Sequence, residues 1–204
     1  MKQIILIGFS TTGKTTLARK IAKRFPNRSL YDTDKVISEP FGGSVSDIYY
    51  AHPNVEDTHR VISGEEKKTL MRLKSEANNL IIAAGPGIPL HEEDFMAYVK
   101  SKSPIVVLLN QPAEKIYTAL CERRERYRED AKHSRPDFGI WDLGIMVERD
   151  GDTIFEIDKQ KAIENISRAL DERAVAYKKF ATLSFDCAEI FESEDLPNRL
   201  LELL

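Results

Sequence analysis

An α/β fold is predicted, built on a parallel sheet with helices on both faces, and three observations carry it. Five short apolar runs, at 3–7, 29–32, 79–84, 105–109 and 182–186, are rich in Ile, Leu, Val or aromatics and end near turn residues. They are unpatterned along their length, as strands buried on both faces are. Longer amphipathic stretches alternate with them, at 14–24, 44–50, 58–77, 92–100, 113–126, 159–180 and 196–203, which is the rhythm of a parallel sheet. The first run passes into its helix through a glycine-bracketed loop, GFSTTGKTT.

Bulk properties bound the answer. A length of 204 residues points to one domain, spanning 1–204, with inserted loops. At 42% hydrophobic and 31% charged the chain can build a core and stay soluble, and a formal net charge of −3 gives no electrostatic reason to bind nucleic acid. Basic clusters such as CERRERYRED alternate with acids, as solvated helix faces do. Cys121 and Cys187 match no metal or redox spacing, and the four histidines form no paired motif. No apolar run approaches the ~20 residues of a membrane helix. MKQIILIGFS is too short and too glycine-punctuated for a signal peptide. A cytoplasmic protein with reduced thiols, no membrane partner and no nucleic-acid partner is the expectation.

The loop carries the strongest chemistry. Gly8 to Thr15 fits G-x-x-x-x-G-K-[ST] between an apolar run and a helix, the context this phosphate cradle requires. Gly8 and Gly13 let the backbone wrap so that N–H groups, including those of Thr11, Thr12 and Thr16, can face phosphate oxygens beside the positive end of the helix. Lys14 is placed to reach the β and γ oxygens and the Thr15 hydroxyl to ligate Mg²⁺. A nucleotide and Mg²⁺ are therefore expected here. VVLLNQPAEK lacks the aspartate of a guanine-reading segment, which argues against a GTPase. A small kinase or a nucleotide-gated switch remains.

Tyr31-Asp32-Thr33-Asp34 ends the second apolar run. Two carboxylates one residue apart leave an extended chain on the same side. Beside a cradle, Asp32 suits the Mg²⁺ shell and Asp34 suits an acceptor hydroxyl; the pair could equally cap the helix that follows. From about 125 to 157 the chain is polar and Pro/Gly-punctuated, and MVER-DG-DTIFE has the Asp-Gly signature of a hairpin. A lid or binding loop is one reading of this insertion, and a surface excursion the other.

The order of these segments resembles the shikimate kinase family of P-loop kinases. YDTDKVI resembles its D-x-D segment, FGGSVSDIYY its G-x-S-I-x-E-I-F, AAGPGIPL its glycine-rich turn after the third strand, and LDERAVAYKKFATLSFD its R-x-x-x-Y-x-x-x-A stretch. The resemblance implies a three-layer sandwich with a five-stranded sheet in the order 2-3-1-4-5 and a lid. It implies transfer of the ATP γ-phosphoryl group to the 3-hydroxyl of shikimate. Asp34 would orient or deprotonate that hydroxyl, while Lys14, Mg²⁺ and Arg135 share the negative charge. Arg173 of DERAVAY would grip the acceptor carboxylate, since a planar guanidinium suits bidentate pairing.

A second carboxylate-binding arginine depends on register. Reading Val55-Glu56-Asp57-Thr58-His59-Arg60 against the family's G-E-x-x-F-R keeps Arg60, whereas starting at Gly64-Glu65 puts Thr69 in its place; the first register is preferred. Gly85 and Gly87 would let the backbone approach the acceptor, with Pro86 standing where the family has a central glycine. Arg123 or Arg124 could flank the adenine. Arg135-Pro136 resembles the start of the lid, although Asp137-Phe138-Gly139 follows. A small hydroxy acid is the expected partner, and a monomer the expected state. Two other readings stay open: a related kinase with another acidic or sugar-like acceptor, and a non-enzymatic nucleotide-responsive module.

Overall fold

The structure, a computed structural model, describes residues 1–43, 45, 48, 55–129, 145–149, 152–156 and 158–191. In chain order these form β1 (Ile4–Ile7), α1 (Lys14–Arg24), β2 (Ser29–Asp32), α2 (Thr33–Ser38), α3 (Val55–Leu73), β3 (Leu80–Ala83) and α4 (Glu92–Lys102). There follow β4 (Ile105–Asn110), α5 (Ala113–Glu129), β5 (Ile145–Arg149), β6 (Asp152–Glu156), α6 (Lys159–Phe180), β7 (Leu183–Asp186) and α7 (Cys187–Phe191). Short 3-10 turns occupy Glu39–Phe41 and Ile88–Leu90. The predicted helix at 196–203 and most of that at 44–50 lie outside the described residues, as do Arg135 and the rest of 130–144.

One compact unit comprises residues 1–111 and 175–204. Its five-stranded sheet runs β2-β3-β1-β4-β7. Every pairing is parallel, with Leu6 opposite Ala83 on one side and Val107 on the other. In the sequence order of its own strands this is 2-3-1-4-5, the order the family resemblance implies. β1 is therefore central, and its C-terminal end delivers the glycine loop between two neighbours.

The alternation along β1 explains why its sequence looks unpatterned. Ile4 and Leu6 face a core with Leu17, Ala18 and Ile21 of α1 and Ile190 of α7. Ile5 and Ile7 face another with Leu70 and Leu73 of α3, Phe95 and Tyr98 of α4, and Tyr177 and Phe180. Both faces are covered, so polar residues are excluded from each. Each fully buried Ile contributes roughly 1.5–3 kcal/mol, which anchors this strand on both faces.

Element ends differ from expectation by a turn or less. α3 starts at Val55 and ends at Leu73, while α5 runs on to Glu129, into the segment read as insertion. The run ERRERYRE consists almost wholly of good helix formers, so propensity extends the helix past its apolar face. In the second unit, residues 112–174, Ala113, Ile116 and Leu120 of α5 and Ala162 and Ile166 of α6 are buried. Within it β5 and β6 pair antiparallel, Arg149 opposite Asp152, so Asp150 and Gly151 alone separate the paired ends.

Candidate active site

The cradle is shaped by backbone that only particular residues accept. Gly8 has φ 143°, and a Cβ there would lie 2.5 Å from the Leu109 carbonyl oxygen of β4. Both facts require glycine. Gly13, at φ 80°, precedes α1 as its N-cap, leaving the first-turn N–H groups of that helix for an anion. Thr11 also has positive φ, 63°. Thr12 is buried, and its hydroxyl donates to Phe9 O at 2.9 Å, closing the loop on itself.

Lys14 is buried, and its ammonium donates to Gly8 O at 2.9 Å and Phe9 O at 2.6 Å. The lysine is thus laid along the loop with its charge at the cradle. Behind the loop the Cys187 thiol donates to Thr12 O at 3.2 Å. Burial pushes that thiol up to about 11, against the opposing pull of Lys14 and with a smaller push from Asp186. It stays protonated and serves as a hydrogen-bond donor.

β2 brings the carboxylates to this loop. The Thr15 hydroxyl donates to Asp32 Oδ2 at 2.9 Å, and Asp32 Oδ1 accepts from Lys35 N at 3.4 Å. Asp32 is therefore both the N-cap of α2 and the partner of the cradle threonine. A hydroxyl beside a carboxylate is the hard-oxygen pair that Mg²⁺ accepts while keeping waters and phosphate oxygens in its shell. No group of three or more His, Cys, Asp or Glu side chains placed to hold a metal ion occurs among the described residues.

The next two residues reach the glycine turn. Thr33, wholly buried, accepts a hydrogen bond from Gly85 N at 2.7 Å. Asp34 lies against Gly85 so closely that a Cβ there would meet its Oδ1 at 2.4 Å. The carbonyl of Pro86 accepts from the Tyr177 hydroxyl at 2.7 Å. Gly87 abuts the carboxylate of Glu66, which is buried and bonded to His91 Nε2 at 2.9 Å. Through Asp32, Thr33 and Asp34, three successive residues join phosphate cradle and turn.

The arginines are placed less uniformly. Arg60 lies on α3 with its side chain 76% exposed, paired with Asp57 at 2.9 Å. Thr69, the residue of the other register, is buried. Arg123 is exposed on α5 and Arg173 half-buried on α6, both in the second unit. Thr16 is exposed at the start of α1. Thr33, Glu66, His91 and Tyr177 were not singled out from sequence. Thr33 sits inside D-T-D and Tyr177 inside the R-x-x-x-Y stretch, so each had a local signal. Glu66 and His91, 25 residues apart, had none.

Comparison with known proteins follows the same lines. The profile of the shikimate kinase family matches residues 10–138, more than half of the chain. This chain belongs to the shikimate kinase family. A shikimate kinase of Clostridium botulinum is 30% identical over 138 residues, covering 68% of this chain and 76% of that protein. One from Pelotomaculum thermopropionicum is 27% identical over 172 residues, covering 84% and 91%. Among solved structures, shikimate kinase from Bacteroides thetaiotaomicron superposes with a TM-score of 0.67 at 24% identity, covering 99% of this chain and 97% of that one. The Acinetobacter baumannii shikimate kinase, solved in complex with shikimate, gives 0.64 at 19% identity and covers 100% and 92%. These likenesses in structure show the shared fold. Shikimate kinases are ATP-dependent phosphotransferases acting on a hydroxyl group.

Proposed function

We propose that this chain transfers the γ-phosphoryl group of MgATP to the 3-hydroxyl of shikimate. The observation that supports it best is the run Asp32-Thr33-Asp34, bonded at one end to cradle Thr15 and pressed at the other against Gly85. Nucleotide phosphates held by Gly8, Thr11, Thr12, Gly13, Lys14, Thr15 and Thr16 would then lie beside an acceptor resting on Gly85 and Gly87. Asp34 accepts the proton of the attacking hydroxyl as a general base. Lys14 offsets the charge on the transferred group, and Arg135 is assigned the same task from the lid. Thr15 and Asp32 are the residues that would hold Mg²⁺, which neutralises phosphate charge when bound. Arg173, and Arg60 once released from Asp57, are assigned to the acceptor carboxylate. Arg123 is assigned to the adenine. A monomer in the cytoplasm, with no nucleic-acid or membrane partner, completes the reading; no described helix is long and apolar enough to cross a membrane.

A second reading, a relative with another hydroxy-acid or sugar-like acceptor, is favoured by Pro86 in the turn and by the engagement of Arg60 with Asp57. ADP release from purified protein with MgATP and a panel of hydroxy acids separates the two. Release with shikimate is expected; release with a different acceptor alone selects the second reading. ATP binding without any acceptor-dependent turnover would instead leave a nucleotide-responsive module. Asp34→Asn should lower kcat by roughly 10² or more with little change in ATP affinity. Undiminished turnover in that variant removes Asp34 from the mechanism.

A further inference from the structure

The Gly85-Pro86-Gly87 turn is held at three successive residues, and the third hold differs in kind. Gly85 and Pro86 are fixed by main-chain hydrogen bonds, to the Thr33 hydroxyl and from the Tyr177 hydroxyl. Gly87 has φ −83°, a conformation open to any residue, so backbone freedom does not explain its glycine. Space does: a Cβ would stand 2.4 Å from Glu66 Oε1 and 2.6 Å from Oε2. The Glu66 side chain is 8% exposed and that of His91 12%. A carboxylate only accepts, so His91 Nε2 carries the hydrogen of their 2.9 Å bond. His91 in turn ends the 3-10 turn after Gly87, its N–H donating to Ile88 O at 3.3 Å, and accepts from Phe95 N at 2.8 Å to begin α4.

We propose that Glu66, clamped by His91, is a positioning residue for the acceptor. It reaches from α3 to fix the far end of the turn while Asp34 and Thr33 fix the near end, setting the span on which the acceptor rests. A buried carboxylate opposes folding unless well paired, and an apolar side chain would fill the same space without that penalty. What the carboxylate adds is a directed bond that ties α3 to His91 at one end of the segment from Gly87 to His91, while its oxygens pack against Gly87 at the other. The inference rests on the turn being the acceptor's seat, so one arm of its test requires no acceptor.

That arm is amide hydrogen exchange by NMR. Glu66→Ala should speed exchange at Gly85, Gly87, Ile88 and His91 by about 10-fold or more while leaving the β1 amides unchanged. The kinetic arm uses whichever acceptor supports turnover. Glu66→Ala should raise the acceptor KM roughly 10-fold or more, with the ATP KM within about 2-fold, as expected when a seat shifts and the nucleotide site does not. Glu66→Gln, which keeps the bond to His91, should restore the acceptor KM to within about 3-fold of the parent. If Glu66→Ala does not fold, His91→Ala carries both arms with the same expectations. Unchanged or uniformly raised exchange overturns the proposal, and so does an equal rise in both KM values. Turn-specific exchange without turnover on any acceptor would sink the kinase reading and leave the clamp standing.

Discussion

Glycines 8 and 87 serve the site for different reasons. Gly8 combines a left-handed φ with a main-chain oxygen where a Cβ would go, and backbone cannot step aside. Gly8→Ala should therefore destabilise the fold by about 1–3 kcal/mol from backbone strain alone, read as a lowered urea midpoint at constant slope. A midpoint within error of the parent would mean that the loop relaxes freely. Gly8 was legible from sequence because its constraint is local and recurs wherever a strand feeds a phosphate cradle. Gly87 was legible only as half of a turn. Its partner Glu66 lies 21 residues earlier on another element, and nothing near either residue points to the other. Arg60 shows the opposite case: its spacing was legible, and its bond to Asp57 is an i,i+3 pairing that a helix through this stretch itself brings about.

At the scale of elements, α2 is the link between the two halves of the site. Its N-cap Asp32 bonds the cradle threonine, and its first residue, Thr33, holds the Gly85 amide. Thr33→Val keeps the shape and removes the acceptor, leaving that buried N–H unsatisfied. A loss of about 1–3 kcal/mol is expected, measurable by denaturant unfolding. Because the lost bond is to the turn, the acceptor KM should rise while the ATP KM stays near the parent value. A melt unchanged from the parent would show that the amide finds another partner. The apolar strands were readable from composition, since burial on both faces leaves little choice of residue. The end of α5 was not, because charged helix formers carry the helix into the polar stretch that reads as an insertion.

For the molecule as a whole, two buried cores flank one central strand, and polar groups within them are tied in pairs. Tyr98 packs among Ile5, Phe95 and Phe180, and its hydroxyl donates to Gln3 Oε1 at 2.6 Å. Gln3 passes the chain on to Ala77 O at 2.8 Å. Burial pushes the Tyr98 phenol above its ordinary value. As pH rises the unfolded chain therefore releases this proton first. Stability is full below the ordinary tyrosine value of ~10 and falls above it; Cys187, raised to about 11, adds in the same direction. Unfolding free energy should decline between pH 9 and 11, roughly, and more shallowly in Tyr98→Phe. An identical slope in the variant would remove Tyr98 from the cause.

The sequence by itself determined the alternation of strand and helix, the phosphate cradle and the kinase family, because each is written in contiguous residues whose chemistry admits few alternatives. Which side chains meet at the Gly85–Gly87 turn was decided only when the sheet brought β2 and β3 side by side and α3 settled into one rotation. Those contacts join residues far apart along the chain, and a change of helix phase by one residue would have presented Glu65 or Lys67 where Glu66 now stands.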